Sequence, residues 1–469
     1  MGVTEMKHVL LIDFGSTNTK VTAVDLEQEV LLGTAASYTT VQTDINEGLN
    51  NALRILEEQT GVKNFDARFA CSSAAGGLKM ISCGLVPELT AEAAKQASLG
   101  AGAKVMKVYS YQLTASDAEE IEALKPDIFL LTGGTDGGNK DNIIENAKTL
   151  AKMKAEFPII LAGNRNAADE CRRILEEAGK QVIVCENVMP RFNQLNIEPA
   201  QDKIREVFLD RIIKAKGLSE ASQLISGIMM PTPAAVLEAM SLLAKGTASE
   251  PGIGDLIGMD VGGATTDVYS MSNGDPTGIN TVIKGLPEPY AKRTVEGDIG
   301  MRYSAKGIAE AVGLERLSRK AGLTVEQTEN LLELITNRTD LLPETPELKA
   351  LDFALASFAV KVGMTRHAGT IEKVYTPIGE TYLQEGKDLR NVEKVIVTGG
   401  SLIHAEGVKE IAANTIYDIA EMASLKPLKA EILVDEKYIL SAMGLLAQHE
   451  PDAALRMMKK ELVSHGIAE

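Results

Sequence analysis

Two short strings concentrate the residues that could do chemistry in this chain. Asp13-Phe14-Gly15-Ser16-Thr17-Asn18-Thr19-Lys20 places an aspartate, a glycine and several hydroxyls in one tight turn, and Asp260-Val261-Gly262-Gly263-Ala264-Thr265-Thr266-Asp267 repeats the pattern in the second half. Glycines at Gly15, Gly262 and Gly263 are expected to take φ > 0 and bring backbone N–H groups close to phosphate oxygens. Ser16, Thr17, Thr265 and Thr266 add hydroxyl donors, and Asn18 and Lys20 are counted with them; Lys20 either reaches a phosphate or faces solvent. Asp13 and Asp260 would repel a polyphosphate unless Mg²⁺ and its waters lay between, so two such hairpins describe a clamp for Mg-ATP. Asp13 and Asp260 are thus the candidate metal residues. Asp260 or Asp267 is the candidate for positioning an attacking water, with capping of its own turn as the alternative role for Asp267.

Each string is followed by Thr-Gly-Gly behind an apolar run. Ile128 to Leu131 leads into Thr132-Gly133-Gly134, and Val395-Ile396-Val397 leads into Thr398-Gly399-Gly400. The second of these, with Gly399, Gly400 and Ser401, is expected to lie against adenine and ribose. A lone Asp-x-Gly is an ordinary hairpin turn. Four linked elements in the order hairpin, Thr-Gly-Gly, hairpin, Thr-Gly-Gly read instead as a duplicated nucleotide-binding half. Rival motifs fail: Gly133 to Lys140 misplaces the lysine of a P-loop and lacks the following Ser or Thr, and Gly252-Ile253-Gly254 precedes a strand that a dinucleotide fingerprint would follow.

The elements that must carry these strings are legible in outline. Strands are expected near 8–13, 19–25 and 28–38, then a helix near 45–59 and a strand at 67–72. A βα pair spans 127–153, and 155–195 reads as an accessory β-α-β unit. Helices are expected from Gln201 to Lys216 and from Pro231-Thr232-Pro233 to Ala244, with Lys245 to Gly252 as the linker. In the second half, 304–363 reads as a helical insertion, and 374–382 as a hairpin turning at Pro377-Ile378-Gly379. Lys437 to Ala447 closes the sheet as a helix, its Ala442-Met443-Gly444 small enough for close helix packing. The domain expectation is 1–250 and 251–469.

Length and charge bound the rest. At 469 residues the chain exceeds one core. Lys plus Arg is 48 against 65 Asp plus Glu, a net charge of -17 without a basic block, which argues against nucleic acid and anionic membranes as ligands. Cys71, Cys83, Cys171 and Cys185 lack metal or redox spacing and read as buried thiols. His367 and His404 read as surface or helix-start residues. No run approaches the about 20 apolar residues of a membrane span, so a cytoplasmic protein is expected.

With those residues in view, the chain resembles the actin-like ATPase superfamily: Ile12 to Lys20 matches its first phosphate motif, Met259 to Asp267 the second and Val395 to Ser401 the adenosine motif. The implied fold is α/β, a duplicated actin-like (ribonuclease H-like) ATPase fold with inserted subdomains. Within it the chain is similar to the GlmL/MutL-type accessory proteins of adenosylcobalamin-dependent glutamate mutase. The supporting strings are Asp13 to Thr17, Cys71 to Leu78, Leu131 to Gly138, Pro231-Thr232-Pro233 and Arg293 to Arg302. This resemblance implies an ATP- and Mg²⁺-dependent reactivating factor whose partner is a cobalamin mutase, from which it releases damaged cobalamin. Asn18 departs from the aromatic expected in glutamate-mutase members, which leaves a related aminomutase as client. Glu296, Asp298 and Arg302 are expected either to read nucleotide or client, or to form a polar helix start. A small-molecule kinase on the same clamp is the alternative.

Overall fold

The computed structural model describes residues 7–15, 18–38, 45–73, 78–215, 229–377 and 379–469. It divides into two compact units, one of Met1–Ala239, Gly285–Pro287 and Ser441–Met457, the other of Met240–Lys284, Glu288–Leu440 and Met458–Glu469. The expected boundary at 250/251 therefore moves to 239/240, and a late stretch of chain returns to the first unit. The expected linker is a folded turn: Thr247 N–H donates to Glu250 O (2.8 Å), and Lys459 binds Glu250 (2.7 Å).

The first unit opens with β1 (His8–Phe14), β2 (Asn18–Asp25), β3 (Val30–Tyr38), α1 (Ile45–Thr60) and β4 (Ala67–Ser72). A second layer follows: β5 (Lys79–Gly84), α2 (Glu92–Gly100), β6 (Lys104–Ser110), α3 (Ala115–Leu124), β7 (Ile128–Leu131), α4 (Asp141–Ala151), β8 (Ile159–Leu161), α5 (Arg165–Glu177), β9 (Val182–Val184) and α6 (Glu198–Ala215). Then come β10 (Met229–Pro231) and α7 (Thr232–Lys245), whose first residues belong to this unit. Strands β3-β2-β1-β4-β10 form one sheet, antiparallel at β3-β2-β1 and parallel at β1-β4-β10. Strands β6-β5-β7-β8-β9 form a separate, wholly parallel sheet in the order of doubly wound flavodoxin-like folds.

This second sheet corrects two expectations. The unit at 155–195 is not a separate accessory but supplies β8 and β9 to a five-stranded sheet inserted between β4 and β10. The first Thr-Gly-Gly, at the end of β7, belongs to that inserted sheet and not beside the first hairpin. Thr132 is tied there through its hydroxyl to Cys83 O (2.8 Å).

The second unit contains β11 (Leu256–Val261), β12 (Thr266–Met271), β13 (Thr281–Lys284), β14 (Ala291–Glu296), α8 (Ala305–Val312), α9 (Leu314–Ala321), α10 (Val325–Asn337), α11 (Pro346–His367), β15 (Thr370–Thr376), β16 (Gly379–Glu385) and β17 (Lys394–Thr398). It continues with α12 (Gly400–Ile403), α13 (Val408–Ala412) and β18 (Ala430–Val434). The chain ends with α14 (Leu440–Leu446), which returns to the first unit from Ser441 on, α15 (Pro451–Glu461) and β19 (Val463–Ala468). Its main sheet runs β14-β12-β11-β17-β18-β19, and the first five strands repeat the order and directions of β3-β2-β1-β4-β10. The counterpart of the Thr398-Gly399-Gly400 strand is therefore β4, ending at Ser72. Residues 74–77 after it lie outside the described residues.

The same correspondence corrects the helical insertion at 304–363. Only α8 to α10 are extra; α11 occupies the place of α1. Its Leu351, Leu355, Val360 and Met364 are buried in the core with Met259 and Val268, where an apolar helix face must cover a sheet face. The hairpin β15–β16 joins β13 in a small third sheet; Ile378 at its turn lies outside the described residues. Close packing at Gly444 is confirmed, since a Cβ there would lie 1.8 Å from Ala235 O in α7.

Candidate active site

In the first unit, Val9 to Ile12 are buried because β1 lies mid-sheet, and the strand delivers Asp13 at its carboxyl end, only 6% exposed. The turn closes with Gly15 N–H donating to Asn18 O (3.1 Å). None of Gly15, Gly262 and Gly263 adopts a left-handed φ, contrary to expectation. At Gly15 the requirement is clearance, since a Cβ would meet Asn18 O at 2.5 Å. Ser16 and Thr17 lie outside the described residues, Asn18 is exposed, and half-buried Lys20 is the cross-strand partner of Asp13.

Two hydroxyls hold the Asp13 carboxylate: Thr232 Oγ1 donates to Oδ1 (2.6 Å) and Ser441 Oγ to Oδ2 (3.1 Å). Thr232 begins α7, preceded by a proline that ends β10 and followed by one in the first helical turn, where its missing N–H costs nothing. Burial, and then the Asp13 charge, push the neighbouring Cys71 thiol well above its usual range. Neutral donors orient a carboxylate without cancelling its charge, which suits a hydrated Mg²⁺ held through one or two carboxylates. Among the described residues no cluster of three His, Cys, Asp or Glu could grip a metal directly.

In the second unit the corresponding turn closes with Gly262 N–H to Thr265 O (2.9 Å). The segment after β14 braces it. Met301 N–H donates to Gly262 O (3.0 Å), Arg302 and Tyr303 N–H to Gly263 O (2.8 and 2.9 Å), and Ser304 Oγ to Ala264 O (2.8 Å). Gly300 is required because a Cβ would lie 2.4 Å from the Ala264 carbonyl carbon. Arg302 is anchored bidentately to Asp352 (3.0 and 2.8 Å), while Arg366 takes Glu296 (2.7 Å) and Asp298 (2.8 Å). These charged residues hold the brace.

Asp260, half-buried, lies against Gly399: a Cβ there would be 2.6 Å from Asp260 Oδ1, and Gly399 has φ +96°. Gly400 is exposed with open space where a Cβ would go, and Ser401 is half-buried beside it. Thr398 Oγ1 donates to Asp435 Oδ2 (3.0 Å). Two expected roles are corrected. Thr266 is fully buried with its methyl toward Gly363 of α11, so its hydroxyl is not presented to a phosphate. Asp267 is buried and committed to Arg293, at 2.8 Å from Nε and 2.6 Å from Nη2, with Thr265 Oγ1 3.3 Å from its other oxygen. It braces the hairpin, leaving Asp260 as the aspartate able to orient water.

His367 is likewise no surface residue: its ring nitrogens lie 2.8 Å from Ser270 Oγ and Thr294 Oγ1, and burial holds it well below its ordinary pKa. His404 is exposed. Cys71, Cys83 and Cys171 are buried thiols and Cys185 is partly so; burial pushes Cys83, Cys171 and Cys185 up to about 12. Sequence reasoning missed Thr232, Gly300, Arg293, Asp435 and Ser441. Only Pro231-Thr232-Pro233 carried a local signal.

Two sheets of one order, each delivering an aspartate to a glycine-containing hairpin, define a duplicated actin-like ATPase fold. The chain belongs to the MutL protein family, whose model matches residues 9–462. A curated relative, Protein MutL of Clostridium tetanomorphum, is 52% identical over 460 residues, covering 98% of this chain and 100% of that one. Gluconate kinase from Lactobacillus acidophilus aligns over 99% of this chain and 94% of its own at 10% identity, TM-score 0.36. Ethanolamine utilization protein EutJ from Carboxydothermus hydrogenoformans aligns over 96% and 89% at 11% identity, TM-score 0.25. Among the described residues no helix is long and apolar enough to cross a membrane.

Proposed function

We propose that this protein is an ATP-dependent reactivating factor for an adenosylcobalamin-dependent mutase, glutamate mutase or a related aminomutase, from which it releases damaged cobalamin. The observation that carries the nucleotide part is the Asp13 carboxylate, buried yet held by the Thr232 and Ser441 hydroxyls, with Asp260 in the equivalent hairpin position. Bound Mg²⁺ would neutralise phosphate charge. Asp13 and Asp260 hold its water shell, Asp260 orients the attacking water, and Thr265 and the turn amides meet phosphate oxygens. Gly399, Gly400 and Ser401 face the nucleoside. The client assignment rests on family membership.

The experiment adds the protein, ATP and Mg²⁺ to a mutase inactivated with hydroxocobalamin, then supplies fresh adenosylcobalamin. Restored mutase activity supports the reading. No rescue of either mutase type while ATP is being hydrolysed refutes the client. A stoichiometric phosphorylated metabolite from a cell extract would favour a small-molecule kinase instead.

A further inference from the structure

Asp435 and Ser441 bracket the start of α14 and grip two different things. The Asp435 carboxylate, 1% exposed, accepts from Thr398 Oγ1 (3.0 Å) and from the backbone N–H groups of Ile439 (2.8 Å) and Leu440 (3.2 Å). Ser441, the next residue along and 3% exposed, donates to Asp13. The chain passes from the second unit to the first between Leu440 and Ser441. Within seven residues, α14 is thus fastened to the strand that carries Gly399 and to the carboxylate of the first hairpin.

We propose that Ser441 is a positioning residue: it holds Asp13 in an orientation set by the Thr398 strand, conveyed through Asp435 and the first turn of α14. Thr232 grips the other Asp13 oxygen at 2.6 Å, so losing the Ser441 bond leaves the carboxylate hinged on a single donor. That bond, at 3.1 Å, is already long for a hydroxyl, and a displacement of α14 by under an ångström breaks it. Gly399, adjacent to Thr398, abuts Asp260, so whatever moves that glycine also pulls on Asp435. The catalytic consequence rests on the ATPase reading; the linkage itself does not.

Full-length Ser441→Ala, Ser441→Thr and Asp435→Asn proteins test both parts. In kinetics, Ser441→Ala should lower kcat for Mg-ATP hydrolysis about tenfold, the worth of one charge-assisted hydrogen bond, with KM nearly unchanged, and Ser441→Thr should restore it. An unchanged kcat overturns the positioning role. Without nucleotide, hydrogen exchange should rise in residues 9–25 of Asp435→Asn and in residues 394–400 of Ser441→Ala. Parental exchange in both segments overturns the linkage. Absence of ATP hydrolysis by the parent protein would sink the ATPase reading alone, since exchange still judges the linkage.

Discussion

Asp260 and Asp267 are cross-strand partners in the β11–β12 ladder, as Asp13 and Lys20 are in β1–β2. The duplication thus extends to the register of each hairpin, while the residue opposite the aspartate has diverged. In the second unit a like charge stands there and is neutralised by buried Arg293. The two aspartates at strand ends are consequently in equivalent positions but in different fields, and substitutions at them should differ.

Asp13→Asn and Asp260→Asn should each abolish Mg-dependent ATP hydrolysis. Asp13→Asn should also cost about 1–2 kcal/mol of stability, because two buried hydroxyls lose a charged acceptor. Phosphate-release assays beside urea denaturation check both statements. Parental hydrolysis in both variants would show that the hairpins are not the catalytic site.

Gly399→Ala should destabilise the protein by about 2 kcal/mol or more, since it strains a φ of +96° and drives a methyl into the Asp260 carboxylate. Gly400→Ala meets open space and should stay within about 0.5 kcal/mol of the parent. Equal urea midpoints for the two variants would contradict this.

Thr266→Val removes a fully buried hydroxyl that has no hydrogen-bond partner. Stability should be unchanged or raised by about 1 kcal/mol, and ATP affinity retained. A variant that binds ATP markedly more weakly would return Thr266 to the phosphate site.

Lys387 is buried with its amine on Ser270 O (3.2 Å) and Tyr290 O (2.8 Å), and burial pushes its pKa down from 10.5 to about 7, against the nearby Glu288 and with Lys292. Between those values the unfolded chain binds more protons than the native one, so stability contributed by this group rises with pH across that window. Urea midpoints at about pH 7 and about pH 9 should rise more for the parent than for Lys387→Met. Identical changes would show that the amine stays charged in the fold.

The hairpins, the start of α7 and the β15–β16 turn were legible because Asp-x-Gly, Pro-Thr-Pro and Pro-Ile-Gly act on adjacent residues. What failed was long-range. The two Thr-Gly-Gly strings read alike, yet β7 pairs with β5 and β8 while β17 pairs with β11 and β18; strand choice depends on the whole layer. The Ser441–Asp13 bond joins residues 428 apart, with no local trace at either end. Position within the helical region at 304–363 misled for a similar reason, since helical periodicity does not tell a core helix such as α11 from inserted ones. Asp267 has the same local setting as Asp260, and only the arrival of Arg293 from β14 separates their roles.

Ser441–Met457 belongs to the first unit although it is made after most of the second. On a translating ribosome the first unit therefore emerges without its α14 helix, and Asp13 then has Thr232 but not Ser441. Since domains tend to fold as they emerge, the nascent first unit must wait in an incomplete form until nearly the whole chain is synthesised. Truncation of the last residues, from Ser441 onward, would accordingly damage the hairpin at the opposite end of the polypeptide, and the aspartate at position 13 would become fully set only at the end of biosynthesis.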